Sequence, residues 1–375
     1  MDLVYINSGI GSVFPSQVRE LLNYYKNLNC FKKITLLCGV RDELEMKKAE
    51  ELLKSSTFDV IFYRTFPNYP FFNGISVRHL AKAMMKVQVS ESTVFHIRSS
   101  STAYIVYKSV RKILSYEPKV LLDIRGALKE ETIDFLEINW LLKKMKILNF
   151  IKAYSTLKYY TAISVVSNAL KEYVLNHVEN KIFVNPCLAS KLFVYSTEQR
   201  DHFRNIIGVN ENEKLLVFSS GGESLWQNNQ ELINIANKGF KILNLSKVNI
   251  DHPNIITKYV KYEEVAGYMS AADLALIIRE NNIVNKVASP VKFSEYLCSG
   301  LPVISNKNVD VIKQCIEKTG YGLLINSADD ITSEAVDKLS SISRKKISEY
   351  GRMHFGIESV AARYLKIYNE IVAEG

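Results

Sequence analysis

Between Leu274 and Ile304 the chain reads as an apolar run, a polar loop, a short helix and a second apolar run, an order that few folds accommodate. Leu274-Ala275-Leu276-Ile277-Ile278 and Val303-Ile304 are continuous apolar segments, the form a strand takes when a parallel sheet buries both of its faces. Ser289 and Pro290 read as an N-cap and the first helical position, because a serine oxygen accepts from a free amide and proline there gives up no hydrogen bond. Gly300 suits the left-handed residue beyond a helix end and Pro302 cannot continue the helix, so the spacing predicts a helix ending near Ser299. Strand, long loop, helix, strand is the repeating unit of a parallel α/β sheet.

The same alternation occupies the rest of the chain. Leu3–Ile6, Ile34–Cys38, Val60–Tyr63, Thr93–Arg98, Val120–Arg125 and Ala162–Ser167 read as strands, separated by helical stretches such as Glu43–Leu53. Ile182–Asn185 reads as one more strand before Pro186, and a second series begins at Leu215 and ends at Ile325. At 375 residues the chain exceeds one ordinary core and fits two domains. No stretch approaches the roughly 18 uninterrupted apolar residues of a membrane span, and the start lacks a basic segment leading into an apolar one. A cytoplasmic protein is expected, with any membrane association peripheral, at the inner face. The five cysteines form no paired motif and read as buried thiols, and the six histidines show no metal spacing, so neither a metal nor a cofactor is expected.

Net charge is +9, which points to an acidic partner. From Ile138 to Lys171 there is no Asp or Glu, while Lys143, Lys144, Lys146, Lys152 and Lys158 alternate with Trp140, Phe150, Tyr154 and Tyr159. That segment reads either as an anionic membrane surface site or as a packed helix with a solvated lysine face. No nucleic-acid-binding motif is present, so nucleic acid is not expected as a partner.

Candidate site residues gather at strand ends and at the helix start. A diphosphate would be stabilised by the free amides at the start of the helix that Ser289, Pro290 and Val291 open. Lys292, in the first turn, opposes the helix dipole and calls for an anion, and Glu295, one turn on, can accept two hydrogen bonds from a vicinal diol such as a ribose. The same pair also fits an i, i+3 surface contact worth about 0.2–0.5 kcal/mol, and spacing alone does not choose. At the first strand end, Gly9 and Gly11 suit a tight turn or a close backbone approach to ligand. Asp123 and Arg125 lie on one side of their strand and fit either a buried pair or a ligand site. Glu130 and Glu131 either position an acceptor or favour a helix dipole.

The run SPVKFSEYLCSGLPVI, preceded by Ile278-Arg279 and Val284-Asn285-Lys286-Val287, resembles the nucleotide-sugar site of family 4 glycosyltransferases of the GT-B fold. The resemblance implies an α/β protein of two Rossmann-like parallel-sheet domains facing across a cleft, with a C-terminal helix crossing back to the first. It implies an acceptor domain at 1–186, a nucleotide-sugar domain at 187–355 and a bracing helix at 356–375. It also implies a retaining, metal-independent transfer of sugar from a nucleotide-sugar donor to a glycan or lipid-linked acceptor in cell-envelope polysaccharide synthesis. Glu295 would hold the donor ribose, with Ser289, Pro290, Val291, Arg279, Gly222 and Gly11 as further donor contacts. Lys292 and Arg125 would be catalytic, and Asp123, Glu130 and Glu131 would face the acceptor.

Three departures from the family pattern are visible. Val287 stands where many members carry a first glutamate, leaving Arg279, Asn282 and Asn285 as polar candidates for its role. Arg125-Gly126 stands where many have His-Gly, which makes His96 the substitute base. Glu223 to Asn229 lacks the Arg and Lys that the family places after the double glycine, which shifts phosphate binding onto Lys292 and Arg279. Two other readings stay open: a non-catalytic GT-B subunit that binds a partner glycosyltransferase, and a nucleotide-sugar epimerase.

Overall fold

Thirteen strands, each a short apolar run, build two all-parallel sheets in the structure, a computed structural model that describes residues 1–11, 13–220 and 229–373. The first sheet holds β1 (Asp2–Asn7), β2 (Ile34–Val40), β3 (Asp59–Arg64), β4 (Thr93–Arg98), β5 (Lys119–Ile124), β6 (Ala162–Val165) and β7 (Ile182–Val184), in the order 3-2-1-4-5-6-7. The second holds β8 (Leu215–Ser219), β9 (Lys241–Leu245), β10 (Ile255–Lys258), β11 (Leu274–Ile277), β12 (Val303–Asn306) and β13 (Gly322–Ile325), in the order 10-9-8-11-12-13. In both, the order reverses after the first strand of the series, between β1 and β4 and between β8 and β11. A crevice for ligand opens at such a switch point, beyond the carboxyl ends of the strands.

The second sheet shows why its strands carry no polar face. Leu215, Val217, Leu243, Ala275, Ile277 and Val303 point into one buried cluster. Their strand neighbours Leu216, Phe218, Ile242, Leu276 and Ile304 point into another. Side chains alternate at a period of two, and helices cover both faces.

Residues 1–186 together with 361–375 form one compact unit, and 187–360 form the other. The tail, expected as helical from Ser343, is two helices, Arg344–Phe355 and Ile357–Ala373, broken at Gly356. Beyond Ala361 the last helix packs on the first unit. The Tyr25 hydroxyl donates to the Ala361 carbonyl at 3.0 Å, and the Tyr368 ring lies 5.8 Å from Phe31. One loop departs from expectation. Residues after β11 contain a four-residue helix, Ile283–Lys286, capped by Asn282, whose side chain accepts from the Asn285 amide at 2.9 Å.

Candidate functional site

The helix singled out in the sequence spans Val291–Cys298 and is held at both ends. Gly300 follows it at φ +75°, where a Cβ would lie 2.5 Å from the Arg344 carbonyl oxygen, so only glycine fits. Arg344–Phe355 packs across this end: Ser348 Oγ donates to the Cys298 carbonyl at 2.5 Å. The hydroxyl of Tyr296 accepts from the Ser219 amide at 2.8 Å and ties the helix to the end of β8.

Its start differs from the expected arrangement. The cap is Pro290, not Ser289, and no side chain caps the helix. Ser289 Oγ instead accepts from the Cys187 amide at 3.3 Å, while Ser294 Oγ donates to the Cys187 carbonyl at 2.8 Å. The serine is consumed in anchoring the first residues of this unit. Among the described residues the helix N-terminus has no side-chain acceptor; the Phe293 amide donates to the Pro290 carbonyl at 3.0 Å, and the Val291 and Lys292 amides remain donors for an anion.

Lys292 and Glu295 meet, with Nζ 2.7 Å from Oε2. The carboxylate side chain is 1% exposed and the lysine side chain 23%, so the lysine lies between the carboxylate and water. Burial pushes the Glu295 carboxyl above its ordinary range, and the nearby Lys292 charge offsets that only in part. Arg279, just past the end of β11, is half-buried. Its backbone is fixed by the Asn306 and Asn308 side-chain amides, which donate to its carbonyl at 2.7 and 2.8 Å. Burial lowers the guanidinium to about 10, with a smaller opposing pull from Tyr296, so it stays a cation at neutral pH. Among the described residues it has no carboxylate partner. The other polar candidates for the missing glutamate are engaged by the loop itself: Asn282 caps the short helix, and Asn285 Nδ2 donates to the Glu280 carbonyl at 2.9 Å. Val287 is buried core. Gly222 lies outside the described residues.

A test follows from the burial of Glu295. Because the folded carboxyl titrates above the unfolded one, its ionised form costs the folded state stability, and that cost grows as pH rises through the folded value. Glu295→Gln is therefore expected to keep or raise the melting temperature at pH 7. The wild type should lose ground to the variant between pH 4 and pH 7. A lower melting temperature for the variant at both pH values would show the charged pair to be structural.

The first-unit candidates divide differently. His96 is fully buried mid-strand in β4, and its Nδ1 lies 2.6 Å from the Tyr368 hydroxyl. Burial lowers its pKa, against the pull of Asp123. It cannot serve as a base for a bound ligand, because Tyr5, Tyr364 and Tyr368 enclose the ring. Asp123 is also fully buried, which corrects its placing beside an acceptor. It sits 3.4 Å from Arg125, 3.7 Å from His96 Nε2 and 3.8 Å from Arg98. Burial alone would raise its carboxyl, but Arg125, His96 and Arg98 together hold it well below the ordinary range. Arg125 is spent here as well, donating to the Tyr364 hydroxyl at 3.2 Å and to Gln17 Oε1 at 3.3 Å. Glu130 accepts from the Tyr173 hydroxyl at 2.5 Å and pairs with Lys129 at 3.0 Å. Glu131 alone is half-buried without a side-chain partner among the described residues, and burial raises its carboxyl.

A cavity of this unit lies elsewhere, at the β1/β4 switch point. It encloses about 310 Å³, lined by Gly9 and Gly11 after β1, Arg41 after β2, Arg64 and Phe66 at β3, and Ser101 and Thr102 after β4. No atom lies within 4 Å of a Cβ placed on Gly9 or Gly11, so the chain itself does not require glycine there. Ser99, at φ +98°, turns the chain at the end of β4, a backbone strain of order 1–3 kcal/mol. Arg41 pairs with Glu45 at 3.3 Å, and Arg64 lies 5.5 Å over the Phe66 ring. Arg41, Arg64 and Ser101 were not expected from the sequence; the convergence of strand ends was the available signal. Among the described residues no group of three or more His, Cys, Asp or Glu is placed to hold a metal ion.

The family model for the Glucosyltransferase 3-like, C-terminal domain matches residues 278–355, the stretch from Ile278 through the helix that packs on Val291–Cys298. No curated protein sequence is significantly similar to the chain. Among solved structures it is similar to the sucrose-phosphate synthase of Thermosynechococcus elongatus, with TM-score 0.69 and 12% identity over 100% of both chains. It is similar to Anabaena HepE in complex with UDP-glucose, with TM-score 0.68 and 10% identity over 99% of this chain and 100% of that one. It is also similar to the pneumococcal O-GlcNAc transferase GtfA in complex with UDP and GlcNAc, with TM-score 0.61 and 10% identity over 99% of each. Together with its two parallel-sheet α/β domains, these likenesses establish the GT-B fold.

Proposed function

We propose that the chain is a glycosyltransferase that moves a sugar from a nucleotide-sugar donor to a glycan or lipid-linked acceptor. The carrying observation is Arg279, an under-solvated cation without a carboxylate partner among the described residues. It lies near the Tyr296 side chain, on the unit whose uncapped helix carries Lys292 and Glu295. Two cations and free amides suit a diphosphate, and a carboxylate one turn along suits a ribose diol. In this reading Lys292 turns from Glu295 to the phosphate when donor binds, which frees the carboxylate for the sugar hydroxyls. The matched glucosyltransferase-like domain spans these residues, and two of the similar structures hold UDP or UDP-glucose. Membership of family 4, retention of anomeric configuration, metal independence and a role in cell-envelope polysaccharide synthesis come with the motif resemblance and belong to the same proposal.

One observation favours a second reading, a non-catalytic GT-B subunit: the Lys292–Glu295 pair closes the carboxylate. A melting screen with UDP, GDP, ADP and dTDP tests the first. A ligand at a hundred times its Kd adds about 2.7 kcal/mol to the folded state, so one of the four should raise the melting temperature by a few degrees. The rise should vanish in Arg279→Ala. No rise with any diphosphate removes the donor site, whereas a rise without donor hydrolysis or transfer selects the non-catalytic subunit.

A further inference from the structure

The helix Trp140–Tyr154 belongs to the first unit and is docked firmly by one side. Phe150, Ala153 and Tyr154 are buried there, and Asn73 Nδ2 donates to Asn149 Oδ1 at 2.7 Å. The opposite side carries Trp140, Leu141, Lys144, Leu148, Ile151 and Lys152, all exposed. At 3.6 residues per turn these fall within roughly a third of the helix circumference, so they form a single stripe. Trp140 is 71% exposed, Leu141 51%, Leu148 51% and Ile151 54%, which puts four large apolar side chains in water on a helix whose packing face is already satisfied.

The stripe continues into an aromatic and cationic margin. Lys152 Nζ lies 4.3 Å from the centre of the Tyr104 ring, and Tyr107 stacks on the exposed Tyr159 with centroids 4.5 Å apart. No Asp or Glu occurs between Glu137 and Glu172, and among the described residues Lys144, Lys152 and Lys158 have no carboxylate partner. Apolar side chains flanked by tryptophan, tyrosine and unpaired lysines match the acyl–headgroup boundary of an anionic bilayer, where the rings sit amphipathically and each lysine gains from the surface potential. A second copy of the chain fits worse, since a symmetric contact through this stripe would set Lys144 and Lys152 against their own kind. Among the described residues no helix is long and apolar enough to cross a membrane. Contact here is interfacial.

We propose that the exposed stripe of the Trp140–Tyr154 helix docks the protein on the surface of an anionic lipid bilayer, with Trp140, Leu148 and Ile151 inserted and Lys144 and Lys152 at the headgroups. The proposal does not rest on sugar transfer, since lipid binding is measured without donor or acceptor. The full chain is sedimented with vesicles of phosphatidylcholine alone and of phosphatidylcholine mixed with phosphatidylglycerol, at low and high salt. It should pellet with the mixed vesicles only, and less at high salt. Lys144→Glu with Lys152→Glu should weaken binding at least about tenfold. Leu148→Ser with Ile151→Ser should weaken it again, both at unchanged melting temperature. Tryptophan emission should move to the blue on binding, and not in Trp140→Phe. Failure to pellet with the mixed vesicles, binding equal in wild type and both variants, or a dimer in solution broken by the Leu148 and Ile151 changes would overturn the proposal.

Discussion

Replacing Lys292 by alanine is expected to lower transfer by about 100- to 1000-fold, the effect of removing one preorganised donor to charge that grows in the transition state, about 2.7–4 kcal/mol. The ammonium lies 2.7 Å from Glu295 in the free chain, so the substitution also strands a buried carboxylate. Some stability should be lost with it. The two effects separate in the double variant Lys292→Ala, Glu295→Gln, which contains no buried charge at either position. Its melting temperature should return toward that of the wild type while its turnover stays low. Steady-state kinetics beside thermal melts decide the matter: recovery of turnover together with stability would make Lys292 a structural partner of Glu295 and nothing more.

The second large effect lies in the first unit and concerns stability. Asp123→Asn removes a carboxylate that faces Arg125, Arg98 and His96, with Arg125 and Arg98 side chains only 14% and 13% exposed. Breaking a buried ion pair by removing one partner costs about 3–5 kcal/mol, because the remaining charge is left in a poor solvent. Denaturant unfolding should show that loss at pH 7. The sign of the pH dependence follows from the carboxyl's low folded value. The unfolded chain takes up the proton first, near the ordinary value of about 3.9, so the stabilisation is complete above that pH and falls away as pH drops toward the folded value. The Asn variant should lack this acid-dependent loss. Equal stability of variant and wild type at pH 7 would mean that the two arginines find water instead.

Local signals were legible wherever a side chain serves its own neighbours. Asp42 accepts from the Glu45 amide at 2.8 Å and starts the Glu43–Leu53 helix where the sequence places it, and Ser167 accepts from the Leu170 amide at 3.0 Å to start Asn168–Leu175. Ser289 carries the same signal and is used otherwise, because the Cys187 amide, distant in sequence, reaches its oxygen. A cap is a short-range competition, and a long-range donor that arrives by folding can win it. His96 shows the same limit. The sequence offered it as a substitute base on the strand beside Arg125, but Tyr364 and Tyr368, from the far end of the chain, close over it.

What the sequence determined alone is the order of elements and hence the sheet class. Continuous apolar runs joined by helices admit parallel strands buried on both faces, and the Ser289–Ile304 motif marks one strand-to-helix turn among them. What only the tertiary structure decided is which charges are spent. Asp123, Arg125 and Glu130 neutralise partners inside the first unit, Lys292 covers Glu295, and Arg279 is left a cation without a carboxylate partner among the described residues. The physical reason is that burial and pairing of a charge depend on residues brought together from far apart along the chain, whereas strand and helix patterns depend on neighbours within a few positions.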